Sequence, residues 1–522
     1  MSFSHGPDKS LYKSLYQTII PYQVPFIALA LLLLATSLYD LTSAQFSAPT
    51  IMRQAQTAML SENFAREGFR LQGLYLNIHG HDRPVMAYEF PVYNAIVGIL
   101  FLAINFSPIW GKLISVLASV LALYFFATLV SRRYGQQVTL FAGVFFLLSP
   151  LTIMMQSAFQ PDALAVMFTL SALLVLDRWH RDNSYPSLVL FSLLLLLGGL
   201  TKYPALVPFG PVMILAFFSK NGRFRTPRLL ELFIIIVLFA VPLVLWYTYR
   251  AQITHSDFGT TGMNSMFLFG DLKRFLSPAY YITPLYIISV LACSGMGALF
   301  LLFGLFTRSP LNIAMALGIP LFFLVIPTAS EQHYYFFPCI PLVALIMARG
   351  AVRFNELCGQ RDIVLLKYAT YSLYALACFS LALYIMVLRQ DNVMYDAAKT
   401  VNRVSAPQDL IFVMNMHNRT NGFGGNNPTL FYLSGRKGWN ITNTFTLETS
   451  LAQIEKRREQ GAKWVVITWY TPDLETVLEP YIPKSAHTRI DPGIDGKHYY
   501  QELKKRYTIE FESKNYAVLK LF

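Results

Sequence analysis

The sequence predicts a polytopic α-helical membrane protein with a small soluble α/β domain at its C-terminal end. Three observations carry that prediction. Hydrophobic residues make up 54% of the chain and charged residues only 14%, whereas a water-soluble chain carries about 25% charged residues. Nearly uninterrupted apolar runs, such as 188–197 and 232–246, need a solvent as apolar as themselves. Lys and Arg cluster between those runs, as they do in cytoplasmic loops. This placement accounts for the net charge of +13 without a nucleic-acid partner. No basic run is interleaved with aromatics in the way that holds single strands.

The first run, 24–38, follows Lys9 and Lys13 and so resembles a signal peptide. No small-residue cleavage site of the A-x-A kind follows it and further spans do, so a retained first helix with a cytoplasmic N-terminus is expected. Cys293, Cys339 and Cys378 lie in apolar runs and Cys358 in a basic loop, which argues against a disulfide framework.

The remaining spans follow from parity. The basic clusters are Lys9/Lys13, Arg132/Arg133, Arg178/Arg181, Lys220 to Arg228, Arg308, and Arg349 to Lys367. If all are cytoplasmic, an even number of crossings separates neighbours. Segment 91–103 is too short, at about 13 residues, for the roughly 20 that a crossing needs. It is expected to be a juxtamembrane or re-entrant helix, which leaves 40–108 as one extracytoplasmic loop. The crossings are then 109–130, 138–155, 162–176, 188–201, 203–219, 229–249, 284–306, 311–328, 335–348 and 368–388. With the first helix this makes about eleven spans.

Residues 1–389 form this membrane module. From 390 to 522 the composition changes to short β-like runs (409–414, 463–469, 506–512, 516–519) and an amphipathic helical stretch, 447–459. This reads as an extracytoplasmic α/β domain. It lacks a G-x-G-x-x-G motif and metal-spaced Cys or His, so no nucleotide or metal site is expected in it.

Polar residues at the outer ends of spans are the candidate site, because an ionisable group at membrane depth is costly. Glu89, in Tyr88-Glu89-Phe90-Pro91, is placed for a general base or metal ligand. Asp162 follows Gln160-Pro161 at a helix start, where ordinary capping competes with function. Lys202, in Gly198-Gly199-Leu200-Thr201-Lys202, is an isolated cation against the positive-inside trend, suited to a phosphate or to snorkelling. Arg53, Gln54 and Gln56 open a helical stretch of the first outer loop, and Arg53 and Gln56 share a face. His333, Tyr334 and Tyr335 follow Glu331-Gln332 in a late outer loop and suit a sugar or phosphate, or an interfacial aromatic belt. His79, His81 and Asp82 have spacing too loose for a metal site.

In order along the chain, these motifs resemble the GT-C membrane glycosyltransferases. The likeness is to family 39, which includes protein O-mannosyltransferases and the lipid A aminoarabinose transferase. It spans roughly residues 20–350 and rests on the R-Q-x-Q-T-A-like helix, the E-F-P-x-Y segment, Gln160-Pro161-Asp162, the G-L-T-K segment and the H-Y-Y-x-x-P loop.

The resemblance implies an inverting transferase. Such an enzyme moves a sugar from a polyprenyl-phosphate carrier to an extracytoplasmic lipid, glycan or protein acceptor. It further implies that Asp162 organises a metal or the acceptor, and that Lys202 with the His333–Tyr335 loop contacts the carrier phosphate. Relatives usually carry an Asp-Glu pair or lone Asp in the first-loop helix. Here that helix reads Arg53-Gln54-Ala55-Gln56, so Glu89 is the expected base, ahead of Glu62 or Asp40. The family leaves a divalent metal open as cofactor. A transporter or flippase, or a non-catalytic member of the fold, are the rival readings. No internal repeat of the transporter kind is present, and the compact single chain points to a bacterial inner membrane.

Overall fold

The structure is a computed structural model. It describes residues 9–43, 46, 50–220, 223–254, 275–307, 309–330, 332–387, 392–415, 427–442, 447–468 and 496–522. Helices dominate it. Among the described residues six are long and apolar enough to cross a membrane, or seven if one bent pair counts as a span.

After α1 (Lys9–Thr42) come α2 (Ile51–Arg66) and the short α3 (Val92–Ala103). The next helical run, α4 (Ile109–Leu148), is two antiparallel arms. Gly135 turns the chain at φ +77°, a conformation that favours glycine. Phe126 and Phe146 sit on opposite arms with ring centroids 5.8 Å apart, where a straight helix would separate them by about 30 Å. The second arm stops at Ser149 and restarts as α5 (Pro150–Met155), so the run 138–155 is broken near its C-terminal end rather than continuous. Proline at the first helical position explains the restart.

Helices α6 (Asp162–Asp182) and α7 (Tyr185–Lys202) form a hairpin through Asn183, whose left-handed backbone closes α6. Then follow α8 (Gly210–Phe218) and α9 (Leu229–Ile253). The run expected as one span at 284–306 is instead α10 (Ile282–Ala292) and α11 (Gly297–Leu305), bent by 109°. Ser294 and Gly295 both adopt positive φ at the break. Helices α12 (Pro310–Val325), α13 (Ile340–Gln360) and α14 (Val364–Val387) complete the bundle. Helices α11 and α13 pack backbone to backbone: a Cβ on Gly350 would lie 1.8 Å from the Phe300 carbonyl oxygen. Small residues at such crossings are the usual means of close helix packing where lipid supplies no hydrophobic drive.

Members of four of the basic clusters meet at one end of this bundle, and Arg308 lies outside the described residues. Arg132, Arg133 and Arg181 all pair with Asp177. Arg225 stacks on Trp179 and Arg349 on Tyr134. Asp162 and Lys202 occupy the other ends of α6 and α7.

Residues beyond 391 build a five-stranded sheet. Its strands are β1 (Leu410–Asn415), β2 (Lys437–Thr442), β3 (Ala462–Thr468), β4 (Thr508–Glu512) and β5 (Tyr516–Lys520), in the order β2-β1-β3-β5-β4. The β1/β2 and β1/β3 pairs are parallel, and the β3/β5 and β4/β5 pairs antiparallel. Side chains alternate between two faces. Leu410, Phe412, Val465 and Leu519 pack with Ile454 and Leu503. Ile411, Val413, Val466 and Val518 pack with Ala397 and Val401, and with Leu74, Leu76 and Ile78 of the loop after α2. That loop also joins the sheet edge through Gly80 N–H to the Gly438 carbonyl at 2.6 Å. The four cysteines are all buried and unbridged.

Candidate active site

Helix α2 is buried along most of its length although it carries Arg53, Gln54, Gln56, Thr57, Ser61 and Asn63. Polar groups in such a place need partners, and those partners assemble the site. Gln54 donates through Nε2 to Thr50 Oγ1 at 3.0 Å, and its Oε1 accepts from Phe159 N–H at 2.9 Å. The helix is thereby tied to the segment that leads into Asp162. Asn94 of α3 donates to Ser61 Oγ at 2.9 Å. Tyr93 donates to the Gly111 carbonyl at 2.7 Å and meets Ser115, which donates to the Ala158 carbonyl at 2.6 Å.

Glu89 lies just before α3 and forms an ion pair with Arg53. The strand of chain holding it is fastened on both sides. Phe90 N–H donates to the Leu200 carbonyl at 3.1 Å, and Arg250 Nη1 donates to the Tyr88 carbonyl at 2.6 Å. The Arg53 guanidinium stands 4.8 Å from the Tyr88 ring centroid and donates to Gln56 Oε1 at 3.4 Å. Burial works against the Arg53 charge, but Glu89 first and then Tyr334, Tyr335 and Tyr88 outweigh it and raise its pKa. Burial pushes the Tyr88 phenol up, so it stays neutral.

Asp162 and Lys202 meet because α6 and α7 are antiparallel helices of similar length, 21 and 18 residues. The hairpin returns Lys202 to the level at which α6 began. Nζ lies 2.8 Å from both carboxylate oxygens. The side chains are 3% and 1% exposed. Lys202, an isolated cation in the sequence, is thus paired in the structure rather than snorkelling, because a desolvated ammonium takes the nearest carboxylate. Its Nζ also lies 4.5 Å from the Tyr335 ring centroid and 5.1 Å from that of Tyr334.

The two tyrosines stack on each other at 4.7 Å, and Tyr334 donates to Gln332 Oε1 at 2.6 Å. His333 opens the short helical turn that carries both. Glu331 lies outside the described residues. Arg53 and Glu89 act electrostatically on Lys202, so the two ion pairs and the tyrosine pair form one cluster.

Several expected residues fall away from it. Glu62 pairs with Arg66 on the exposed face of α2. Asp40 accepts from Ser157 Oγ at 2.6 Å and lies 3.9 Å from Lys112 Nζ. His79 bridges to Trp439 at the sheet edge. Among the described residues no group of three or more His, Cys, Asp or Glu is placed to hold a metal. Both oxygens of Asp162 already face Lys202, so the donor set does not fit a metal there. Reading the sequence missed Arg250 and Tyr88. Arg250 carries the same signal as Lys202, a cation at the C-terminal end of an apolar run.

Residues 82–246 match the family model described as dolichyl-phosphate-mannose-protein mannosyltransferase. That segment contains Glu89, Asp162 and Lys202 but neither Arg53 nor the His333 turn. Among curated proteins nothing matches the chain. Among solved structures, ArnT from Cupriavidus metallidurans bound to undecaprenyl phosphate aligns with a TM-score of 0.57 at 12% identity, covering 96% of this chain and 98% of that one. The apo form of the same protein aligns with a TM-score of 0.55. The Archaeoglobus fulgidus oligosaccharyltransferase, in complex with Zn and sulfate, aligns with a TM-score of 0.51 at 14% identity, over 85% of this chain and 68% of that one. The chain is thus a multi-pass membrane protein with the GT-C fold of membrane glycosyltransferases, and the stretch carrying Glu89, Asp162 and Lys202 is the one that resembles the mannosyltransferase family.

Proposed function

We propose that the protein is an inverting glycosyltransferase that moves a sugar from a polyprenyl-phosphate carrier to an extracytoplasmic acceptor. The observation that carries this reading is the pair of ion pairs, Arg53–Glu89 and Lys202–Asp162, gathered around Tyr334 and Tyr335. Two cations suit a departing phosphate and two carboxylates suit a base and its support.

In one displacement the acceptor oxygen bonds to the anomeric carbon as the bond from that carbon to the phosphate oxygen breaks. The electron pair leaves on the polyprenyl phosphate, and attack from the opposite face inverts the centre. Glu89 takes the acceptor proton. Its side chain is 19% exposed, against 1% for Asp162, so of the two it is the one an acceptor can reach. Arg53 and Lys202 meet the charge that grows on the phosphate, each exchanging part of its carboxylate pairing for it. Asp162 holds Lys202 in place until then. The test is purified protein in nanodiscs with undecaprenyl-phospho-mannose and a panel of acceptors. Release of undecaprenyl phosphate is expected. Sugar crossing a vesicle membrane with its phosphate bond intact would sink the reading.

The same proposal includes sidedness. Counting each arm of α4 separately, with the bent pair and the shorter apolar helices other than α3 as crossings, supports about eleven spans. The basic end then faces the cytoplasm with the N-terminus. Residues 390–522 sit outside with the 40–108 loop, whose residues share their core. The short α3 flanks the lipid-facing entrance, and a bacterial plasma membrane is the proposed location. Cysteine placed at Gln136, beside the exposed turn of α4, is expected to resist an impermeant thiol reagent added from outside. Cysteine at Asp82 or Lys463 should react. The reverse pattern defeats the topology.

A further inference from the structure

One buried side chain, two residues before Asp162 in the chain, has no use in the displacement above. Gln160 is 1% exposed, and neither its Nε2 nor its Oε1 has a hydrogen-bond partner among the described residues. Its backbone cannot shift to find one. The Gln160 N–H donates to the Ala158 carbonyl at 2.7 Å, and Ser115 Oγ donates to the carbonyls of both Ala158 and Gln160. Phe159 N–H is held by Gln54, and Pro161 restricts the backbone on the other side. A pinned backbone thus presents a buried amide two residues before Asp162. Thr201 Oγ1, next to Lys202 and 1% exposed, is likewise without a partner.

The chemistry of an amide selects its ligand. Nε2 donates and Oε1 only accepts. A phosphate diester carries acceptors alone, so it would satisfy Nε2 and leave Oε1 bare. A cation would do the reverse. A hydroxyl both donates and accepts, and two neighbouring ring hydroxyls meet both atoms of the amide at once. A buried polar group left unmet is costly, so a site that keeps one gains when a ligand fills it.

We propose that Gln160 is a specificity-determining residue that reads ring hydroxyls of the sugar. This rests on the carrier-sugar reading above and deepens it: the cations and tyrosines hold the phosphate, and Gln160 reads the sugar attached to it. The same hydroxyl chemistry would be offered by a sugar on the acceptor, and the experiment separates the two.

The affinity of protein in nanodiscs is measured for undecaprenyl-phospho-mannose, for bare undecaprenyl phosphate and for methyl mannoside. Wild type is expected to prefer the mannosylated lipid. Gln160→Leu is expected to weaken that lipid about 10–100-fold, as two lost hydrogen bonds imply, and to leave the bare lipid within about twofold. Gln160→Glu, which keeps the accepting half, should fall between. Weakened methyl mannoside binding with the mannosylated lipid unchanged would move Gln160 to the acceptor and overturn the assignment. Equal losses for both lipids, no loss for either, or a wild type indifferent to the mannose would also overturn it. A wild type that binds neither lipid defeats the carrier reading itself, and the assignment with it. Unaltered binding of bare undecaprenyl phosphate by Gln160→Leu shows that the variant is folded.

Discussion

Asp162→Asn and Lys202→Met are each expected to cost about 3–5 kcal/mol of stability, because each strands the other partner in the interior without its counter-charge. The exposures, 1% for Asp162 and 3% for Lys202, leave little room for water to take the missing place. The two tyrosine rings within 5.1 Å of Nζ attract an ammonium by only about 0.5–2 kcal/mol each. They do not replace a carboxylate that accepts two hydrogen bonds at 2.8 Å. The double variant Asp162→Asn/Lys202→Met removes both charges together. It should melt above either single variant, with a coupling on the order of 1–3 kcal/mol. Thermal unfolding of the four proteins in identical nanodiscs checks this. Single variants that melt with wild type, or effects that simply add, would dispose of the pair as a unit. The double variant should remain inactive even where its stability recovers, since the cation proposed to face the phosphate is gone. That separation of stability from turnover is what a counter-ion held in readiness for a phosphate requires, and a purely structural pair would not show it.

The pairing also shows where the sequence stopped being readable. Each member was visible alone, because a charge at the end of an apolar run is conspicuous. That Lys202 finds Asp162 depends on two helix lengths and a left-handed turn at Asn183, none of which is written at either residue. The parity of the basic clusters did anticipate the α4 hairpin, since Arg132 and Arg133 flank the turn at Gly135. It gave no warning of the break between α10 and α11. Hydropathy there is continuous, and only Gly295 hints at the positive φ that bends the chain.

In the C-terminal sheet, four strands announced themselves by their β-branched and aromatic residues. The fifth, β2, begins Lys437-Gly438-Trp439-Asn440 and has little strand character of its own. Gly438 is there for closeness: a Cβ would lie 1.7 Å from the Ile411 carbonyl oxygen of β1. Its pairing is set by the partner strand, which composition does not reveal. The same limit applies to Gln160. A glutamine before Pro-Asp is unremarkable in sequence, and its unmet amide exists only once Ser115 and Gln54 have fixed the backbone around it.

Glu89→Gln is expected to lower kcat by about 10²–10⁴-fold, the usual contribution of a positioned general base, while costing less stability than Asp162→Asn. The amide keeps an oxygen toward Arg53 and preserves the size of the side chain. Arg53 retains Gln56 and the Tyr88 ring as neighbours. The Glu89 side chain is also 19% exposed, so water offsets more of the lost charge than it does at Asp162. Loss of activity alone would not distinguish a base from a residue that merely holds Arg53, because either change disturbs the phosphate's partner. Acceptor acidity distinguishes them. An aliphatic alcohol must lose its proton during attack, whereas a phenol, ionising near pH 10 like tyrosine, needs far less help. If Glu89 is the base, the deficit of Glu89→Gln shrinks steeply from an alcohol to a phenol acceptor, and Glu89→Asp recovers part of the rate. If it only positions Arg53, the deficit is the same for both acceptors and matches that of Arg53→Gln. A Glu89→Gln enzyme within about tenfold of wild type on an alcohol acceptor removes Glu89 from the chemistry. The proton would then have to go to a residue with better access than Asp162, whose oxygens both face Lys202 inside the bundle.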